Sequence, residues 1–343
     1  MRLAKRVMNV KESVTLALTA KAKKLSKQGI SVVSFGAGEP DFDTPVNIKD
    51  AAIKAINEGF TKYTASSGIQ ELKEAICRKF LKDNTLKYEP EQVIVSCGAK
   101  HSLNNLIQVT CNPGDEVLIP APYWVSYPEM AYMAEAKPVF IYTNRKNGFK
   151  VTRQDLEKHI TKKTRLFILN SPSNPTGSVY DAGELKVIAD WAVKNDIYVI
   201  SDEIYEKLIY DNTRHVSIAS LNEKIYALTA VVNGVSKTYS MTGWRIGYCA
   251  CDKDIAKAIN SLQSHSTSNP ASISQKAALE AMTSDQSFIE KMNAEFVARR
   301  DYMVERLNKI KGFSCDKPKG AFYVFCDISK LGIGSNTLAD KLL

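Results

Sequence analysis

The sequence predicts an α/β protein: a mixed, mainly parallel sheet sandwiched by helices, with a smaller α+β domain beside it. Three observations predict this. Short apolar runs recur along the chain, each bounded by polar turns. Amphipathic stretches of helical period lie between them, and strands separated by helices build βαβ units with both sheet faces covered. The length, 343 residues, exceeds one ordinary domain.

Taken in order, a helix over 13–29 flows into a strand over 31–35. Further strands are expected over 92–96, 116–119, 137–142, 165–169, 198–201, 226–232 and 245–251. Helices are expected over 48–58, 69–84, 99–111 and 182–195. A long helical pattern covers 272–311, followed by a strand-like run over 320–327 and a helical pattern from 335 onward. These elements suggest a large domain over 45–280 and a small one combining 1–44 with 281–343.

Composition narrows the function class. With 44% hydrophobic and 24% charged residues the chain reads as soluble and globular. No run approaches the roughly 18 apolar residues of a membrane span, so no membrane partner is expected. Seven cysteines form no CxxC pair and four histidines show no HxxxH spacing, which argues against a disulfide framework or a metal site. A reducing, cytoplasmic location is the expectation. Much of the net charge of +9 lies in residues 1–30, where eight Lys/Arg face one acid, Glu12. No helix-turn-helix, finger or RNP-like motif accompanies that charge. The segment also lacks the apolar core and small-residue cleavage site of a secretory signal. It reads as a solvated helix face, and no nucleic-acid partner is expected.

In open α/β sheets, ligands sit at the carboxyl ends of strands. SKTYSMTGWRIGY, residues 236–248, follows the run ending at Val232 and a small-residue turn. A lysine there points into a strand-end cleft, where desolvation and nearby cations free a neutral amine to attack an aldehyde. Arg245, eight residues after Lys237, offers a planar fork for a phosphate. In isolation, a surface lysine and an ordinary salt bridge would explain the pair as well.

The whole string resembles the lysine signature of the class I and II aminotransferases, pyridoxal 5′-phosphate (PLP) enzymes of fold type I. The resemblance continues in the family's order through GAGEPDFDTP, PYWVSYPEM, NSPSNPTG and SDEIYE. It implies Lys237 as the Schiff-base lysine and Arg245 as a phosphate ligand. Asp202, at a strand terminus in SDEIYE, would keep the pyridine nitrogen protonated, as an electron sink requires; a helix N-cap is the plain alternative. Tyr205 would hydrogen-bond the ring hydroxyl, whereas Glu203 reads as structural. Asn174, in a loop otherwise readable as a simple turn, would contact the ring oxygen and the substrate carboxylate.

SCGAKHSL, residues 96–103, is a strand end, a turn and a helix start, where N–H groups and the helix dipole favour an anion. The resemblance places the PLP phosphate against Gly98, Ala99 and Lys100. Trp124 is either core or a face stacked on the cofactor ring. Tyr63 would reach the phosphate of a neighbouring subunit, implying a homodimer with shared active sites, and Gly38 would meet the substrate through its backbone.

Ser13, Thr15 and Lys100 resemble the residues that bacterial aspartate aminotransferases of subgroup Iβ use for a distal carboxylate; Lys100 facing solvent is the plain alternative. The implied reaction is ping-pong transfer between aspartate and 2-oxoglutarate, with amino acids and 2-oxo acids as substrates. Aspartate- or glutamate-prephenate transfer is the nearest alternative, a C–S lyase a more distant one, and a non-catalytic PLP-binding sensor the alternative from another class. The family's α-carboxylate arginine lies in a C-terminal RxSY-like segment, which the sequence does not reach before Leu343. The C-terminal part of the small domain is therefore expected to be incomplete.

Overall fold

The computed structural model describes all residues except 1, 2, 13, 34 and 37. Among the described residues the main sheet has seven strands: β1 (Val93–Ser96), β2 (Glu116–Ala121), β3 (Lys137–Tyr142), β4 (Thr164–Asn170), β5 (Tyr198–Asp202), β6 (Thr229–Gly234) and β7 (Gly247–Ala250). Their order is β1-β7-β6-β5-β4-β2-β3. The β2–β3, β2–β4, β4–β5 and β5–β6 pairs are parallel, while β7 runs antiparallel to both β6 and β1. Being antiparallel to a common neighbour makes β1 parallel to β6. The carboxyl ends of β1, β2, β4, β5 and β6 therefore share one edge of the sheet, and β7 begins there.

The unbroken apolar runs of the central strands follow from burial on both faces. Along β4, Leu166 and Ile168 join one core cluster, whereas Phe167 and Leu169 join the opposite one. Each such side chain, fully buried, contributes roughly 1.5–3 kcal/mol. The helices Gln70–Asn84, Ala99–Thr110 and Ala182–Asn195 form where the amphipathic pattern predicts them. The last is started by a capping box, in which Asp181 accepts from the Glu184 N–H and Glu184 from the Asp181 N–H.

Three expectations fail locally. No strand forms at 31–33 or at 35; Val33 and Phe35 are 77% and 79% exposed, so the apolar run has no sheet partner. The strand expected over 226–232 begins at Thr229, because Asn222 caps a short helix, Glu223–Ala227, with two side-chain bonds. The run over 320–327 is extended only at its ends. Gly320 makes an isolated bridge to Ile209, and Cys326–Asp327 (β9) pairs with Ser314–Cys315 (β8). The long 272–311 pattern resolves into two helices, Ser272–Thr283 and Ser287–Asn308.

Candidate active site

At the shared sheet edge lies a cavity of about 480 Å³. The loops after β1, β2, β4, β5 and β6 bring Lys100, Trp124, Asn174, Asp202 and Lys237 to its wall. Gly38 and Thr15 reach it from the N-terminal segment and Tyr323 from near the C-terminus.

Lys237 sits on the short helix Val235–Thr238 that follows β6. Half-buried, its Nζ donates to the Gly38 carbonyl at 2.5 Å. Burial is the main force lowering its pKa to about 8. The cations Arg245 and Lys100 add to this, against Glu39 and Asp202. A substantial neutral fraction near pH 8 gives the amine nucleophilic and basic character.

Asp202, the last residue of β5, is 3% exposed. Burial raises its pKa to about 6, assisted by Glu203 and opposed by donors from Tyr127 and Ile204 and by the Lys237 charge. Tyr127 OH donates to Oδ2 at 2.7 Å, and the Ile204 N–H to Oδ1 at 3.3 Å. The residues that follow form a turn, so Asp202 is not a helix cap. Its charge lacks full compensation from the protein, the condition of a group awaiting a cationic partner.

Asn174 is oriented by its own N–H donating to Asn170 Oδ1 at 2.7 Å. Its Nδ2 donates to Tyr323 OH at 3.2 Å, and the Tyr323 and Tyr205 hydroxyls share a hydrogen bond at 2.5 Å. Burial pushes both phenols above their usual range. At Gly38 a Cβ would stand 2.9 Å from the Tyr323 hydroxyl, so that backbone can approach only as glycine.

Ala99, Lys100 and Arg245 also line the cavity and bring positive charge and a helix start to its wall. Gly98 (φ 87°) precedes the helix Ala99–Thr110, whose first N–H groups face the sheet edge. Arg245 adopts left-handed backbone (φ 57°) and donates to the carbonyls of Thr242 (2.8 Å) and Cys97 (3.4 Å) rather than to any carboxylate among the described residues. A Cβ at Gly98 would lie 2.4 Å from Arg245 Nη2, and one at Gly247 2.0 Å from the Ala99 nitrogen. Two glycines thus let the guanidinium and the helix start close together. Lys100 is exposed, and its Nζ stands 4.8 Å from the centroid of Trp124 on the cavity wall. Burial, then Arg245, lowers its pKa. Trp124 is half-buried; it lines the cavity and also packs against the core cluster beneath it.

One expected residue lies apart, and one cannot be placed. Tyr63 is 91% exposed and away from this cavity; Ser13 falls outside the described residues. Two residues were missed. Tyr127 lies in the first turn of the helix Ser126–Met133, three positions after Trp124, which precedes that helix, and the two rings meet edge-on at 5.4 Å. Tyr323 carries no comparable signal, because the strand expectation over 320–327 concealed it.

A second polar cluster lies just behind Asp202. Glu203 accepts from Ser201 (2.8 Å) and Ser217 (2.7 Å) and pairs with His215 Nε2 at 2.9 Å. Glu206 is bound by Lys79 and by Asn84 Nδ2 (2.9 Å). Glu203, Glu206 and His215 bring three possible metal-ligand atoms within 4.8 Å of one another. Their oxygens are already engaged by protein donors, and the Lys79 ammonium supplies the positive charge.

The family model "Aminotransferase class I and II" matches residues 30–343. An aspartate aminotransferase of Bacillus sp. (strain YM-2) is 52% identical over 328 residues, 96% of this chain and 84% of that protein. An aspartate/prephenate aminotransferase of Cereibacter sphaeroides is 49% identical, covering 95% of this chain and 82% of its own length. Among solved structures, an aspartate aminotransferase from Thermus thermophilus with maleate superposes with a TM-score of 0.95 at 42% identity, over 99% of this chain and 89% of that one. The cavity of this chain lies at the carboxyl ends of the strands, where open α/β sheets carry ligands, and the family match extends over nearly the whole chain. The chain belongs to the class I and II aminotransferases.

Proposed function

We propose that this chain transfers an amino group between aspartate and 2-oxoglutarate, using PLP held at the sheet edge. The observation that carries the reading is a pair of titratable groups pushed in opposite directions inside one cavity: Lys237 down to about 8 and Asp202 up to about 6. The residues fit the cofactor. Arg245 and the glycine-flanked helix start suit a phosphate dianion, the underneutralised Asp202 suits a protonated ring nitrogen, and the half-buried Trp124 offers an aromatic face.

When bound, PLP supplies an aldehyde for the donor amine and a ring that accepts electrons from Cα. The chain's own groups do the rest. Lys237 would hold the cofactor through its Nζ, and that amine, when free, would carry the proton removed from substrate Cα. Asp202, fixed by Tyr127, keeps a proton on the ring nitrogen. Tyr205 and Asn174 orient the ring oxygen, and Asn174 with Gly38 positions the substrate carboxylate. Arg245, Gly98, Ala99 and Lys100 hold the phosphate. Thr15, on the cavity wall, and Lys100 recognise the distal carboxylate, with Ser13 assigned to the same task.

Tyr63, 91% exposed, is available to complete the site of a second copy in a homodimer. The grouping of 1–44 with 281–343 is supported by contacts joining the two segments: Arg299 with Asp41 at 2.7 Å, Lys21 with Asp340 at 2.8 Å, and Phe42 edge-on to Phe296 at 5.5 Å. We assign the chain to the cytoplasm, and among the described residues no helix is long and apolar enough to cross a membrane.

A donor/acceptor panel tests the substrate: aspartate and glutamate against 2-oxoglutarate, oxaloacetate and prephenate. Fastest turnover with aspartate and 2-oxoglutarate is expected. Preference for prephenate would favour the second reading, which relatives named aspartate/prephenate aminotransferase support. Preference for an uncharged donor would reject both.

A further inference from the structure

Cys315 and Cys326 are register partners in the antiparallel β8–β9 pair, and both are free thiols. The backbone shows which kind of partners they are. Cys315 N–H donates to Asn308 Oδ1 at 2.9 Å, and its carbonyl accepts from Asn308 Nδ2 at 3.0 Å. Both polar groups of Cys315 therefore point away from the facing strand. That makes Cys315–Cys326 a non-hydrogen-bonded pair, the kind whose Cα atoms approach to about 4.5 Å with side chains closest. A disulfide accepts Cα separations of about 4.4–6.8 Å.

We propose that Cys315 and Cys326 form a reversible redox site that closes to a disulfide with a low-molecular-weight disulfide such as oxidised glutathione. Cys326 is the half-buried, reachable thiol and Cys315 is 5% exposed, which sets the order of events. The Cys326 thiolate attacks one sulfur of the oxidant, forming a mixed disulfide and expelling one glutathione thiolate. The Cys315 thiolate then attacks Cys326 Sγ, forming the Sγ–Sγ bond and expelling the second glutathione. Two electrons pass from the cysteine pair to the oxidant, and the two thiol protons end on the two released glutathiones.

The bond brackets residues 316–325, the segment that carries Tyr323 to the cavity. Because the cysteines face each other already, closure tethers this segment where it lies. Burial raises both thiol pKa values, that of Cys326 to about 12, so closure is slow at neutral pH and quickens as pH rises. The proposal stands on the strand geometry and does not depend on the substrate assigned above.

The native holoenzyme is incubated with mixtures of oxidised and reduced glutathione, alkylated without denaturation, digested and mapped by mass spectrometry. The expected result is one cross-link joining the Cys315 and Cys326 peptides, removed by excess reduced glutathione and absent in Cys326→Ser. The thermal midpoint of the oxidised wild type should rise by a few degrees, on the order of 2–5 °C. Cys326→Ser, whose reduced form should keep wild-type turnover, should show no rise. Both cysteines remaining alkylatable, Cys326 stopping at the mixed disulfide, or a cross-link joining Cys249 to Cys251 would each overturn the proposal.

Discussion

Asp202 and Glu203 are consecutive buried carboxylates, 3% and 1% exposed, yet the protein treats them in opposite ways. Asp202 faces the cavity with one tyrosine and one backbone donor, and its pKa rises to about 6. Glu203 turns to the other side, where two serines and His215 saturate it, and its neighbour Glu206 is held by Lys79 and Asn84. For Glu206, burial opposes ionisation, but Lys79 and His215 outweigh it and hold the pKa at about 2. Complete pairing is what a structural cluster needs. A charge left partly uncompensated next to a cavity is what a cofactor or substrate can complete.

The sharpest break in this contrast is Lys237→Ala. Turnover should fall by at least about 1,000-fold with the fold intact, since a nucleophile and general base are both removed. Steady-state rates and circular dichroism check it. Asp202→Ala should cost roughly 100- to 1,000-fold in rate, the scale of one preorganised electrostatic contact, with little change in thermal midpoint. Loss of folding instead of rate would place Asp202 with the structural cluster.

Glu206→Gln should do the reverse. Removing the carboxylate charge that faces Lys79, which keeps its bond to Asn84 Oδ1, costs roughly 3 kcal/mol in denaturant unfolding at neutral pH, while the rate per folded molecule barely changes. The sign of its pH dependence is fixed by the depressed pKa. The stability contributed by ionised Glu206 is fully present above its ordinary value of 4.5 and is lost as pH falls toward about 2. The gap between wild type and Glu206→Gln should therefore close over that range and stay constant above it.

Smaller effects refine the site. Lys100→Ala should raise KM for aspartate roughly 10-fold relative to an uncharged donor, the scale of one charge-assisted contact. Equal losses for both donors would remove Lys100 from substrate recognition. In cofactor-free protein, the rate at which added PLP bonds to Lys237 should rise about tenfold per pH unit below about 8 and level off above it. The neutral amine is the reactive form, and the pKa is lowered to that value. A rise continuing to pH 10 would mean the lysine is not desolvated.

What the sequence revealed and concealed follows the same division. Motifs confined to one strand-end loop were legible, because their residues serve the site from local positions: Lys237 after β6, Asp202 at the end of β5, Gly98 before a helix. Contacts made across the chain were not. Nothing near Tyr323 says that it meets Asn174 across 149 residues, and nothing near His215 marks it as the partner of Glu203. Tyr127 is intermediate: its spacing from Trp124 is visible, but its bond to Asp202 joins the helix after β2 to the end of β5, with β4 lying between those strands. The failed strand over 31–35 has the same origin. An apolar run encodes a tendency to be covered, whereas the neighbour that covers it is a property of the fold.

The central claim is that Lys237 is the residue the cofactor bonds. Borohydride reduction of the PLP-treated protein, which fixes a lysine–aldehyde adduct, followed by peptide mapping tests it directly. One modified lysine, Lys237, is expected, with Lys100 unmodified. Label on Lys100 or on surface lysines, with Lys237 unlabelled, would contradict it.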